Sequence, residues 1–150
     1  MIDLLCFIMS FDFLLCRILF YFILYNQIVD FRFAKQMKGA QSFTICGDPL
    51  FFSPELVNHQ GYDYAADLWA LGIVAFEMYE ETTPFGSHDT DETRIFKKIS
   101  AFKGDLPFTD KTPAAARGLI QGWLDPEAYR RAGYLMDDSV KNNPFFSGSI

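Results

Sequence analysis

Between Leu68 and Phe76 the chain offers water no polar face. Leu68-Trp69-Ala70-Leu71 and Ile73-Val74-Ala75-Phe76 flank Gly72 and are apolar at every position. A helix that is hydrophobic all round is normally buried, so the run predicts a buried helix. Asp67 stands at its start, where the positive end of the helix dipole favours a carboxylate. The 150 residues are half apolar and include 17 phenylalanines, enough for one domain with a core of its own and no need of disulfides.

After this run come Pro84-Phe85 and the polar run Gly86–Glu92, which is a loop. Ile95, Phe96 and Ile99 then recur at helical spacing, and Leu106-Pro107-Phe108 closes that piece. Thr112-Pro113 starts a last helix, with Thr112 as N-cap and proline in the first turn. Leu119, Ile120, Trp123 and Leu124 form its inward face. The chain has no internal repeat and no low-complexity linker.

Composition excludes some functions. A net charge of −6 argues against a nucleic-acid surface. Cys6, Cys16 and Cys46 are odd in number and form no C-x-x-C pair, a pattern expected of free thiols in a reducing, cytoplasmic setting and not of a zinc site. His59 and His88 have no cysteine or carboxylate at metal-ligand spacing.

From Leu4 to Tyr25 the sequence is almost continuously apolar, broken by Ser10, Asp12 and Arg17. The length suits a membrane span. Each central charge costs roughly 2.5–3.5 kcal/mol on insertion, against about 0.3–0.6 kcal/mol returned per Leu, Ile or Phe, so insertion is marginal. No basic n-region or small-residue cleavage site marks a signal peptide. Three origins stay open for residues 1–27: non-native coding sequence, a membrane anchor, or a divergent core segment. Residues 28–147 are expected to be one unit, and 148–150 a tail.

Several short motifs stand in a fixed order: Asp30-Phe31-Arg32, Phe33-Ala34-Lys35, Thr44-Ile45-Cys46-Gly47-Asp48-Pro49, Ser53-Pro54-Glu55 and Asp67-Leu68-Trp69-Ala70-Leu71-Gly72. Asp125-Pro126 through Arg131-Ala132-Gly133 and Asn143-Pro144-Phe145-Phe146 follow. Their order and spacing resemble the activation segment and C-terminal helices of eukaryotic serine/threonine protein kinases of the AGC group, especially the cyclic-nucleotide-dependent ones. There the first three cores read Asp-Phe-Gly, Thr-x-Cys-Gly-Thr-Pro and Ala-Pro-Glu. The resemblance implies a mainly α, kinase-like C-terminal lobe without the β-rich N-terminal lobe.

It also implies residue roles. Asp30 would hold the magnesium that bridges ATP phosphates. Thr44 would be the activation-loop phosphosite. Glu77 would meet a basic residue upstream of the phosphoacceptor, with Asp48 also on the substrate shelf. Glu55 would form a buried ion pair with Arg131, Arg130 being the alternative, and Asp67 would hold the catalytic-loop backbone.

Departures cut against catalysis. Arg32 replaces a glycine whose backbone freedom a side chain restricts, and it could neutralise Asp30. Asp48 replaces a threonine and would raise the pKa of a neighbouring catalytic carboxylate. The sequence holds no Gly-rich phosphate loop, no strand lysine with its helix glutamate, and no His-Arg-Asp, so no catalytic base is assigned. ATP and magnesium are implied by the resemblance, yet this chain alone is expected to bind them poorly. Two functions follow: an ATP-dependent protein serine/threonine kinase domain, inactive as an isolated chain, or a pseudokinase-type module that docks a protein partner.

Overall fold

A computed structural model of the chain describes residues 2–3, 28, 30–37, 41–86, 91–136 and 138–147. The apolar stretch 4–25, with the anchor and core alternatives attached to it, lies outside them, as does His88. Among the described residues no helix is long and apolar enough to cross a membrane.

The described residues are mostly helical. Their one ladder pairs strand β1 (Ile2–Asp3) antiparallel with β2 (Lys35–Gln36), Ile2 opposite Gln36. Four helices follow: α1 (Pro54–Val57), α2 (Ala65–Glu80), α3 (Glu92–Ala101) and α4 (Ala114–Trp123). Single 3-10 turns lie at Pro49–Phe51, Ala128–Arg130 and Pro144–Phe146.

Helix α2 is the expected buried helix. It packs against α4 and against the 49–51 and 128–130 turns. Trp69, Ala70, Ile73 and Phe76 are wholly buried. Trp69 stacks on Phe85 at 5.7 Å, and Phe102 meets both rings edge-on. Ile95, Ile99, Leu106, Ile120 and Leu124 complete that core. A second cluster of Phe52, Leu56, Tyr62, Ala66 and Ala70 seats α1 beside it.

The burial of α2 is not total: Leu71 and Met78 are 39% and 50% exposed. Gly72 packs tightly against the C-terminal end of α4. A Cβ there would lie 2.7 Å from Leu124 Cγ and 3.0 Å from Trp123 Cβ, so the residue that interrupts the apolar run sets the interhelical distance.

Helix starts follow local chemistry. Asp91 caps α3 by accepting from the Thr93 amide at 3.0 Å, as an N-cap carboxylate does. At α2, Asp63 accepts from the Ala65 amide at 2.8 Å, while the cap residue Tyr64 makes no such bond. Thr112 is not the cap of α4. That position falls to Pro113, and the Thr112 hydroxyl is turned inward to Glu80. A buried carboxylate in need of donors outcompetes a helix terminus that water can serve.

Candidate functional site

The segment from Asp30 to Glu55 is pinned by Tyr62 at two places. Ser42 and Tyr62 exchange backbone hydrogen bonds at 2.8 and 3.0 Å. The Tyr62 hydroxyl donates to the Thr44 carbonyl at 2.6 Å. Asp48 caps the 49–51 turn, its Oδ1 accepting from the Leu50 amide at 2.9 Å. The acid that replaces the expected threonine therefore has a structural use. Cys46, expected as a free thiol, is disulfide-bonded; Cys6 and Cys16, the other cysteines of the sequence, lie outside the described residues.

At the far end of this segment Glu55 meets Arg131. Arg131 Nη1 donates to Glu55 Oε1 at 2.7 Å and Nη2 to Oε2 at 2.8 Å, a bidentate pair whose side chains are 0% and 9% exposed. Arg131 also donates to the carbonyls of Ala65 (2.8 Å) and Asp125 (3.0 Å) and lies 5.0 Å from the Trp69 ring centroid. Arg130 is exposed beside the Tyr129 ring. Stacked Tyr64 and Tyr134 brace the same corner, the Tyr134 hydroxyl donating to Asp63 Oδ2 at 3.0 Å.

Thr44 is exposed, and its Oγ1 accepts from Lys35 Nζ at 2.9 Å; Lys35 also reaches Ser42 Oγ at 3.3 Å. Lys35 was present in the sequence but unassigned, because its partner Thr44 lies nine residues on.

Glu77, on α2, is half-buried. Burial pushes its carboxyl above the ordinary range, and the negative charge of Asp48 pushes the same way. The two proposed shelf residues are thus within electrostatic reach of each other. Asp67 occupies the third position of α2 and is half-buried.

Glu80 has a different fate from its acidic neighbours. It is buried, with Oε1 accepting from the Thr109 amide at 2.9 Å, Oε2 from the Thr109 hydroxyl at 2.7 Å, and Oε1 again from the Thr112 hydroxyl. Burial alone would raise its pKa. The hydrogen bonds of Thr112 and Thr109, with the charge of Lys111, outweigh that and lower it. Trp69, Ile73, Phe76 and Glu80 recur at helical spacing on one face. That phase was the signal available in the sequence.

Asp30 sits at φ +67°, a left-handed conformation that aspartate tolerates better than most residues. Both of its carboxylate oxygens are engaged by Arg32. Nε donates to Oδ1 at 2.7 Å and to Oδ2 at 2.9 Å, and Nη2 lies 2.7 Å from Oδ2. Magnesium needs near-octahedral oxygen coordination and gives up its waters reluctantly. No group of three or more His, Cys, Asp or Glu side chains among the described residues could hold a metal. The described residues do not fit the magnesium that the motif implies.

Residues 22–146 match the family described as the protein kinase domain, so the match reaches into the N-terminal apolar stretch. Curated relatives agree. The chain is 39% identical over 123 residues to a cAMP-dependent protein kinase catalytic subunit of Dictyostelium discoideum, covering 81% of this chain and 18% of that protein. It is 33% identical over 128 residues to cAMP-dependent protein kinase catalytic subunit 2 of Drosophila melanogaster, covering 83% and 35%. With the serine/threonine-protein kinase YPK1 of Saccharomyces cerevisiae it shares 38% over 104 residues, covering 69% and 15%. The chain therefore spans between 15% and 35% of the length of these relatives. From the motif order, the helical body and these matches together, the chain belongs to the protein kinase family, in its AGC group, and carries the helical C-terminal-lobe part of that domain.

Proposed function

We propose that this chain is the protein-docking part of a serine/threonine kinase domain, and that by itself it binds basic segments of proteins without transferring phosphate. The observation that carries this reading is the half-buried Glu77 carboxylate beside Asp48. A carboxylate whose charge is disfavoured by burial and by a nearby acid is relieved by a guanidinium, and a hydrogen bond to a charged group is worth about 1.5–3 kcal/mol. In a complete kinase domain such a shelf would present a serine or threonine for phosphorylation.

The pairing of Asp30 with Arg32 favours a second form of the same role, a pseudokinase-type module whose function is docking alone. Thr44 is the proposed modification site in either form, since its exposed hydroxyl already faces Lys35 and a phosphate there would gain a cationic partner. Residues 28–147 as one unit and a cytoplasmic location belong to the same proposal.

The test is calorimetric titration of a peptide carrying two arginines upstream of a serine into the purified chain. Glu77→Gln is expected to weaken binding about tenfold, the equivalent of one charge-assisted hydrogen bond. Affinity unchanged in both Glu77→Gln and Asp48→Asn would refute the shelf.

A further inference from the structure

The contact between Arg32 and Asp30 is built, not incidental. The Ala34 amide donates to the Phe31 carbonyl at 3.0 Å, closing a turn with Arg32 and Phe33 at its centre. That turn, entered from Asp30 in the left-handed region, aims the Arg32 side chain back at the carboxylate two residues earlier. The guanidinium also lies 5.7 Å from the Phe33 ring centroid, within cation–π range. A planar fork matched to a carboxylate and tethered two residues away needs no long-range organisation to form.

We propose that Arg32 is a resident counter-ion, which fills at Asp30 the place a divalent cation would take and closes the motif to metal. The inference deepens the docking reading above by giving its lack of phosphoryl transfer a cause within this chain's own residues. A dication approaching Asp30 must displace a guanidinium that holds both oxygens, while the positive charge of that guanidinium repels it. It finds no cluster of further ligands in return among the described residues. Arginine stays protonated at any pH at which the chain is folded, and the carboxylate raises its pKa further. The closure therefore does not open as pH rises.

The test uses Mn2+ as a paramagnetic probe on the full 150-residue chain, read as broadening of the backbone amide signals of residues 30–34. In the native chain these amides should broaden no more than those beside the exposed carboxylates Glu92 and Asp138. Arg32→Gly and, with a polar but uncharged side chain kept, Arg32→Gln should each bring Asp30-dependent broadening at a Mn2+ concentration lower by on the order of tenfold, from loss of the ion pair together with loss of the repulsion. Asp30→Asn added to either variant should abolish it. Unchanged amide positions in α2 show that each variant is folded. Broadening of the native chain that Asp30→Asn removes, or no gain in either folded Arg32 variant, overturns the proposal. No peptide takes part, so the docking shelf can fail while this closure stands, and the reverse.

Discussion

Replacing Arg131 by alanine should be among the most damaging single changes available to this chain. The substitution strips Glu55 of two charge-assisted hydrogen bonds at 2.7 and 2.8 Å, leaves the Ala65 and Asp125 carbonyls without their arginine donor, and opens a void against Trp69. With side-chain exposures of 0% and 9%, water cannot easily take over. Removing one partner of a buried pair costs about 3–5 kcal/mol, against a total stability of roughly 5–15 kcal/mol for a domain. At about 2–4 °C per kcal/mol for a chain of this size, the thermal midpoint should fall by about 6–20 °C.

Urea unfolding followed by tryptophan fluorescence suits the case, since Trp69 lies under the guanidinium. Arg130→Ala is the control: an exposed arginine beside Tyr129 should change stability by less than about 0.5 kcal/mol. Replacing both partners by methionine should recover much of the loss, because the charge left buried is then gone. If Arg131→Ala and Arg130→Ala unfold at the same urea concentration, the pair does not hold the activation segment to the helices.

Three further outcomes follow from the packing and charges. Gly72→Ala should destabilise by about 1–3 kcal/mol through overpacking, despite alanine's advantage of about 1 kcal/mol in helix propensity, because the new methyl meets Leu124 Cγ at 2.7 Å and Trp123 Cβ at 3.0 Å; a raised thermal midpoint would contradict the close approach. Glu80 has a lowered pKa, so its stabilisation is full above the unfolded glutamate value of about 4.3 and is lost as pH falls through its lower folded value. The midpoint difference between the native chain and Glu80→Gln should therefore shrink between pH 5 and pH 3, and a constant difference would refute the network (these pH values are about one unit either side of that reference). Glu77 has a raised pKa, so its ionisation opposes folding as pH rises through that value. Glu77→Gln should leave stability at pH 7 equal or slightly higher while weakening the arginine peptide; a marked loss of stability would place Glu77 in the scaffold instead of the shelf.

The buried helix could be read from sequence because nine residues without a polar face have one physical solution, burial. Arg131 could be preferred over Arg130 because its distance to Gly133 matched a known spacing, and Gly133 does adopt a positive φ of 85°. What escaped were polar residues whose meaning depends on a partner far along the chain. Glu80 sits between Glu77 and Glu81 and differs only in helical phase, which puts its carboxylate opposite Thr109 and Thr112. Thr112 has the sequence of an N-cap, and only the approach of Glu80 turns its hydroxyl inward. Lys35 lies in a two-residue strand too short to predict, and meets Thr44 nine residues on. Asp48, read as a catalytic lesion, is also a turn cap, since an aspartate before proline readily accepts the amide two residues on. Arg32 was legible as a threat to Asp30, but the turn that delivers it was not.

The docking reading meets its most direct test in phosphate transfer. The purified 150-residue chain is incubated with ATP, magnesium and the arginine–serine peptide, and phosphopeptide is measured against a blank without protein. No incorporation above the blank is expected, in the native chain or in Asp30→Ala. Steady incorporation that requires magnesium and disappears in Asp30→Ala would show that Asp30 works as a metal ligand despite Arg32, and would contradict a chain that docks without chemistry.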